Sequence, residues 1–484
     1  MELNRASLPH VPASSRPRID APAAGIVHLG LGAFHRAHQA VFTEDAMAAA
    51  GGDWGIVGVA PRSPQVVDAM RAQDGLFSVT TLDPAGNSTR VVGSSAGQMR
   101  AAADPDAVVA LLADPAIKIV TLTVTEKGYK LDAATGRLLL DDDLRADLET
   151  GRPPQTVPGL LIRGLCARRK ADAGPIALAS CDNLPANGHR LRGLIDKLAA
   201  ATAIGDWVRE SVTFPGSMVD RIVPATTPST LAEAFSSLGV RDRAAVSGEP
   251  YSAWVIEDNF PAGRPAWERA GAVMTGDPRP YERLKLRTLN GVHSAIAYLG
   301  AVAGRSTIAS SLEVPGMREV VRQYIASDVA PSFVPPSGVD TIAYGEEVLT
   351  RFANPAIEYQ TVQVAMDGSQ KMPQRVLQTV QDRLAAGDVP RWGALVVAAW
   401  MRFVQGVSDN GQPLPLNDPL ADRIRARLAA APDTPDGVVG ALLGLDTVFT
   451  PALAEDDALR AVLVEWLTAF DKHGVEATLV GALS

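Results

Sequence analysis

The sequence predicts an α/β protein in two parts: a doubly wound parallel sheet within residues 1–280 and a mostly α-helical part over 281–484. Three observations carry that expectation. Short apolar runs alternate with helical segments as far as residue 180, the pattern of a parallel sheet with crossover helices. A Gly-x-Gly turn joins the first run to the first helix. After about residue 280 the β-branched runs give way to long Ala/Leu/Arg stretches at helical spacing. The length of 484 residues suits two or three domains.

Element by element, the first 25 residues carry Pro, Ser and Arg and read as an extended lead-in. Residues 25–30 read as a strand ending in glycine, and 35–50 as a helix. Strands follow at 54–59 and 77–82, then a helix at 106–112. Further strands lie at 117–124 and 176–180. Their apolar character suits a sheet covered on both faces. In the second part, helices are expected at 281–304, 312–327, 340–352, 373–386, 393–405, 418–431 and 456–475, punctuated by Pro and Gly. No internal repeat is visible.

Composition removes several classes of function. The chain is 46% hydrophobic and 20% charged, with a formal net charge of −9. That fits a globular protein and argues against a nucleic-acid partner, which calls for a basic excess. Two cysteines, Cys166 and Cys181, rule out a disulfide framework or a Cys-rich zinc site. No apolar segment has the ~20 residues of a spanning helix, and the N-terminus lacks a signal-peptide core. A cytoplasmic protein, neither in nor on a membrane, is expected.

The turn Gly30-Leu31-Gly32-Ala33-Phe34-His35 lies where a doubly wound sheet presents backbone N–H groups to a pyrophosphate. His35 stands in place of the third glycine of the usual fingerprint, so the motif alone equally suits a plain strand–helix turn. The second strand runs into Ala60-Pro61-Arg62-Ser63. An acid there would bind the adenosine ribose and favour NAD; none is present. Arg62 is either a ligand for a 2′-phosphate or an ordinary loop arginine, which leaves NAD and NADP both open.

Polar residues concentrate at three further places. In 281–293, Glu282, Lys285, Asn290 and His293 fall within an arc of roughly 140° on a helix turning about 100° per residue. A lysine can serve as general acid/base, an asparagine amide can donate to an alkoxide, and a neutral imidazole can orient either. The same spacing suits an exposed face with a Glu282–Lys285 pair. Thr125 and Glu126 follow the strand at 117–124 and are candidates for cofactor contact. Asp182, Asn183 and Asn187 follow the strand at 176–180, as ligands or as turn formers. His28, His35 and His38 crowd the first turn, but no neighbouring carboxylate or cysteine completes a metal set, and no metal is expected.

Taken together, these motifs resemble the polyol-specific long-chain dehydrogenase/reductase family. The resemblance spans nearly the whole chain. It is carried by Gly30-Leu31-Gly32-Ala33-Phe34-His35-Arg36-Ala37-His38, Thr123-Val124-Thr125-Glu126-Lys127-Gly128-Tyr129, Ser180-Cys181-Asp182-Asn183, Val219-Asp220-Arg221-Ile222-Val223-Pro224, Trp254-Val255-Ile256-Glu257-Asp258 and the Lys285…Asn290…His293 signature. It implies a Rossmann-type dinucleotide-binding domain, a helical C-terminal domain, a site between them and no metal. It implies NAD, and we adopt NAD over NADP. Lys285 would be the general acid/base, with Asn183 and Asn290 on the substrate oxygen. His293 would position substrate, and Glu282 would lie on the lysine's proton route. Asp220 and Lys371 would contact substrate hydroxyls. The segments 365–375, 400–402 and 405–407 are more similar to fructuronate reductases than to mannitol dehydrogenases. Mannitol dehydrogenases tend to carry arginine where this chain has Gln363. The expected substrate is therefore a sugar acid, D-fructuronate, with its carboxylate on Lys371 or Arg375; a mannitol or arabinitol dehydrogenase is the alternative. Nothing in the resemblance requires more than a monomer. Of the 45 basic residues only eight are lysines, and Lys127, Lys285 and Lys371 all fall within the motifs; Lys127 has no role in this reading.

Overall fold

The structure, a computed structural model, describes residues 1–131, 137–149, 152–357 and 359–484. The chain divides into two compact units, Met1–Arg279 and Pro280–Ser484.

The first unit is built on a six-stranded sheet. Its strands are β1 (Ala24–Leu29), β2 (Gly55–Ala60), β3 (Ser95–Arg100), β4 (Ile119–Leu122), β5 (Ile176–Ser180) and β6 (Val212–Thr213). All pairings are parallel and the spatial order is β3-β2-β1-β4-β5-β6. This is the Rossmann order, with its topological switch point between β1 and β4. The alternation of side chains explains why the strands are apolar throughout. Val27, Leu29, Val120, Leu122 and Leu178 enter one core with Leu161, Leu191 and Leu194 from the covering helices. Ile26, Ile56 and Ile119 enter another with Phe42, Met70, Trp254 and Trp267. Each such Leu, Ile or Phe contributes about 1.5–3 kcal/mol by leaving water.

Several details differ from the sequence reading. The lead-in is not extended: Arg5–His10 and Ala13–Ser15 form 3₁₀ turns, and Leu3 and Val11 are buried against Leu76, Val91, Leu238 and Val240. The helix expected at 35–50 starts at Ala33 and breaks at His38 (φ −127°, ψ −88°) before resuming as Gln39–Ala50. Two small sheets flank the main one. One orders Val246–Gly248, Phe77–Thr81 and Ser88–Val92; the other orders Val273–Thr275, Ala253–Glu257 and Ser217–Asp220.

The second unit is helical. Gly291–Val302 packs on Arg391–Phe403, which packs on the long Asp457–Ala482 helix. That last helix kinks at Gly474, whose φ is +70°. Three of the expected continuous helices contain a wider π turn instead: Leu286–Asn290, Tyr324–Val329 and Pro373–Leu377. The first packs against the other two. Such turns cost helix regularity and are often found at functional sites. Among the described residues, no helix is long and apolar enough to cross a membrane.

Candidate functional site

In the first unit the glycine turn is fixed by close approach. Gly30 has φ +108°, and a Cβ there would lie 2.0 Å from the Thr123 carbonyl oxygen, so only glycine fits. Gly32 is exposed and precedes the helix Ala33–Ala37, in which Ala33 and Phe34 are half-buried. The His35 ring does not face outward with them. It is buried, stacked 3.5 Å from the His28 ring. His28 is held by Thr121 Oγ1 at 2.7 Å through Nδ1 and by Thr123 Oγ1 at 2.8 Å through Nε2. Burial pushes the His28 pKa down to about 3, so the ring is neutral. These histidines pin the turn from beneath. Among the described residues, no three His, Cys, Asp or Glu side chains gather to hold a metal.

The loop after β4 is tied to the end of β5 by Asp182. Its carboxylate accepts from Val124 N–H at 3.0 Å, Thr125 N–H at 2.9 Å and Tyr129 O–H at 2.7 Å. Thr125 is thereby held at φ +65°, a conformation non-glycine residues rarely adopt. Asp182, read from the sequence as ligand or turn former, is a structural anchor, and Tyr129, given no role there, is its partner. Asn187 is a second anchor: its amide donates to Ser217 O and accepts from Ser217 N–H. Asn183, beside Asp182, is exposed, and Asp220 is buried at the end of Ser217–Asp220.

A cavity of about 820 Å³ opens where the chain leaves β2, β3 and β4. Arg62, Thr125, Lys127 and Lys130 are on its wall; Glu126, exposed on the same turn as Thr125, is not, and neither are Gly30 and Gly32.

In the second unit, Glu282 is half-buried and Lys285 is 6% exposed on the helix Arg279–Lys285. The uniform helix assumed from sequence would set Lys285 and Asn290 about 140° apart. The π turn closes on residue i+5 in place of i+4, which swings Asn290 toward the side of Lys285. Asn290 ends that turn and His293 lies in the first turn of the next helix, Gly291–Val302. Among the described residues, Asn290 Oδ1 and His293 Nε2 are buried without a hydrogen-bond partner. Unsatisfied buried polar atoms are costly and are kept where a ligand completes them.

The His293 ring stacks on Phe352 (centroids 4.5 Å apart) and meets Tyr359 edge-on. Burial, then Arg375, Lys371 and Arg351 in turn, push its pKa down to about 3. Lys371 donates to Met366 O at 2.6 Å. The Arg375 guanidinium donates to Ser294 Oγ at 3.2 Å, and desolvation holds its pKa below the usual arginine value. Among the described residues no carboxylate pairs with Arg375. Gly291 lets the Pro373–Leu377 turn approach: a Cβ there would lie 2.9 Å from Arg375 O. His293, Lys371 and Arg375 are thus neighbours, while Gln363 is exposed. Ser294, Phe352 and Tyr359 were missed in the sequence; only their proximity in space marks them.

A Rossmann sheet with its glycine turn, followed by a helical unit bearing a Lys–Asn–His cluster, defines an oxidoreductase of the dinucleotide-binding kind. Residues 24–269 match the mannitol dehydrogenase Rossmann domain and residues 277–470 the mannitol dehydrogenase C-terminal domain. The chain belongs to the mannitol dehydrogenase family. It is 40% identical to D-mannonate oxidoreductase of Escherichia coli (strain K12), over 89% of this chain and 90% of that one. It is 38% identical to mannitol 2-dehydrogenase of Cereibacter sphaeroides, over 96% and 98%. Its fold matches the ternary complex of Pseudomonas fluorescens mannitol 2-dehydrogenase with NAD and D-mannitol, with TM-score 0.87 and 34% identity over 100% and 99% of the two chains.

Proposed function

We propose that this chain is an NAD-dependent fructuronate reductase that interconverts D-fructuronate and D-mannonate. Overall identity does not choose between sugar acid and polyol, since 40% and 38% are nearly equal. The observation that carries the choice is Arg375: a desolvated guanidinium beside His293 and Lys371, without a carboxylate partner among the described residues. A hexuronate brings the missing carboxylate; a polyol does not. The likeness to the mannitol complex favours a mannitol or arabinitol dehydrogenase as second reading. Exposed Gln363, where arginine is expected for mannitol, speaks against it.

The residues present fit NAD: Gly30 holds the only backbone geometry its close contact allows, and the wall of the cavity lies at the carboxyl edge of the sheet. Gly30, Gly32, Ala33, Phe34 and His35 would shape the pyrophosphate turn, with Arg62, Thr125 and Glu126 toward the adenosine end. Bound NADH supplies the hydride. Lys285 gives its proton to the substrate oxygen as negative charge develops there, and Asn183 and Asn290 donate to that oxygen before the transfer. Neutral His293 and Asp220 orient the hydroxyls, and Glu282 returns the proton to Lys285. In oxidation, neutral Lys285 removes the alcohol proton, so the rate rises with pH as the lysine deprotonates. All these groups come from one chain, so the reaction requires no more than a monomer, and polarisation by Lys285 and the amides asks for no metal; the cytoplasm is the location we propose.

Lys285→Ala tests the mechanism. Turnover should fall by about 10²–10⁴-fold, the usual worth of a general acid/base, while NADH still binds by fluorescence titration. Near-wild-type kcat would remove Lys285 from the role.

A further inference from the structure

The loop between β5 and the helix Asn187–Ala201 bears Asn183, the exposed amide assigned to the substrate oxygen. An amide donor lowers a barrier only if it is aimed before the charge develops, so the backbone beneath it has to be held. Two buried side chains that the proposed reaction leaves without a part, Asn187 and Tyr129, hold it from either end.

Asn187 is 2% exposed. Its amide nitrogen donates to Asp182 O at 3.2 Å and to Ser217 O at 2.7 Å, and its Oδ1 accepts from Ser217 N–H at 3.0 Å. One side chain thus spans the loop and fastens it to the strand Ser217–Asp220. Ser217 Oγ donates to Ser180 O at 2.6 Å and closes the link to the end of β5. At the other end, Tyr129 is 1% exposed and gives its only proton to the Asp182 carboxylate, so its oxygen accepts from Ser180 Oγ at 2.6 Å. The Asp182 carbonyl also accepts from Leu184 N–H at 2.8 Å. Asn183 therefore lies between two fixed points, with Ala186 held at φ +49° on the way to Asn187. The strand that Asn187 grips ends at Asp220, the group assigned to the substrate's hydroxyls. At about 3.3 Å per residue, Asp220 lies about 10 Å along a paired, extended backbone from Ser217. Asn187 is thus the tie between the two places from which the first unit meets substrate.

We propose that Asn187 is a positioning residue that fixes Asn183 relative to Asp220, with Tyr129 acting through Asp182 as the second hold on the same loop. This gives Asn187 a part that is neither ligand nor turn former. The role rests on the parts proposed for Asn183 and Asp220 and goes beyond them.

The test is a double-mutant cycle on the full-length enzyme: wild type, Asn187→Ala, Asn183→Ala and the double variant, each assayed for kcat with whichever of D-fructuronate and D-fructose the wild type reduces faster. NADH dissociation constants come from nicotinamide fluorescence. Asn183→Ala should lower kcat by about 10²-fold, as loss of one donor to a developing oxyanion does. Asn187→Ala should lower it by about 10–100-fold, the effect of a donor misplaced by about 1 Å, with NADH binding changed by less than about threefold in both. The double variant should fall no more than about threefold below Asn183→Ala, because the amide that Asn187 aims is already gone. A residue that served only the fold would leave the kcat of the folded enzyme unchanged, or would multiply its loss with that of Asn183→Ala; either result overturns the proposal. Tyr129→Phe keeps the ring in its packing and removes only the hydroxyl, so it carries the same cycle if Asn187→Ala does not fold. It should lower kcat by about 3–10-fold, the worth of one hydrogen bond, again without adding to Asn183→Ala; wild-type kcat in Tyr129→Phe would overturn the second hold. Undiminished kcat in Asn183→Ala would overturn the role of Asn183 itself, an outcome distinct from a loss in Asn183→Ala with none in Asn187→Ala.

Discussion

Replacing Arg375 by methionine removes the guanidinium and keeps much of the apolar stem in place. In the structure the guanidinium donates to Ser294 Oγ at 3.2 Å, and burial, not an ion pair, dominates its surroundings. Its removal should cost the fold only about 1 kcal/mol, the net worth of one such bond, offset by the relief of a desolvated charge. The effect on a bound hexuronate is larger. Hydrogen bonds to a charged group contribute about 1.5–3 kcal/mol, or roughly 10–150-fold at about 1.4 kcal/mol per decade. The loss should appear mainly in KM, because a carboxylate remote from the reacting carbon is held alike in ground and transition states. D-Fructose carries a hydroxymethyl group in place of that carboxylate, so its kcat/KM should change by less than about threefold. Initial rates at the nicotinamide absorbance band, with each substrate and each enzyme, give the four constants needed. Equal losses on both sugars, or an unchanged KM for fructuronate, would refute the assignment of the carboxylate to Arg375.

Two other perturbations test the scaffold. His28 and His293, both with pKa pushed down to about 3, should stay neutral by NMR titration from pH 8 to pH 5, and a midpoint near 6.5 for either would contradict its burial. Because both pKa values are lowered on folding, each histidine's contribution is fully present above pH 6.5 and is lost as pH falls toward 3, by up to about 1.4 kcal/mol per pH unit. Asp328, raised to about 6 by burial, acts in the opposite sense between its unfolded pKa and 6, so His28→Asn and His293→Asn should each flatten the acid limb of urea-unfolding stability relative to wild type. Gly30→Ala places a Cβ 2.0 Å from the Thr123 carbonyl at φ +108° and should cost at least about 3 kcal/mol in urea unfolding; a loss under 1 kcal/mol would show that the turn can shift.

The central sheet was legible because its strands are covered on both faces, and β1, β2, β4 and β5 are therefore apolar runs. β3 was not: its sequence Ser-Ala-Gly-Gln-Met-Arg lies at the sheet edge with every residue half-buried, so it carries no apolar signal. The lead-in was misread because Leu3 and Val11 are isolated apolar residues whose partners lie 65 or more positions away at Leu76, Val91, Leu238 and Val240. Hydrophobic spacing located most helices of the second unit, though not Pro435–Leu443, and could not show the π turns, which change the hydrogen-bond register with little change in burial. Residue type and spacing drew attention to Lys285, Asn290 and His293 but suited an exposed face as well; their roles came from the resemblance. The partners that set their surroundings, Phe352, Tyr359 and Ser294, are apolar or common residues and acquire meaning only in three dimensions. One signal was present and unused: Thr121 on β4 and Thr123 just beyond its end are two residues apart, and Thr121 pairs in register with His28.

The most direct test of the substrate assignment needs no variant. Steady-state kcat/KM of the wild-type enzyme for D-fructuronate and for D-fructose, with the same reduced cofactor, should favour fructuronate by at least the factor of roughly 10–150 that a charge-assisted carboxylate contact supplies. Equal constants, or a preference for fructose, would contradict the account and place the chain among the polyol dehydrogenases of its family.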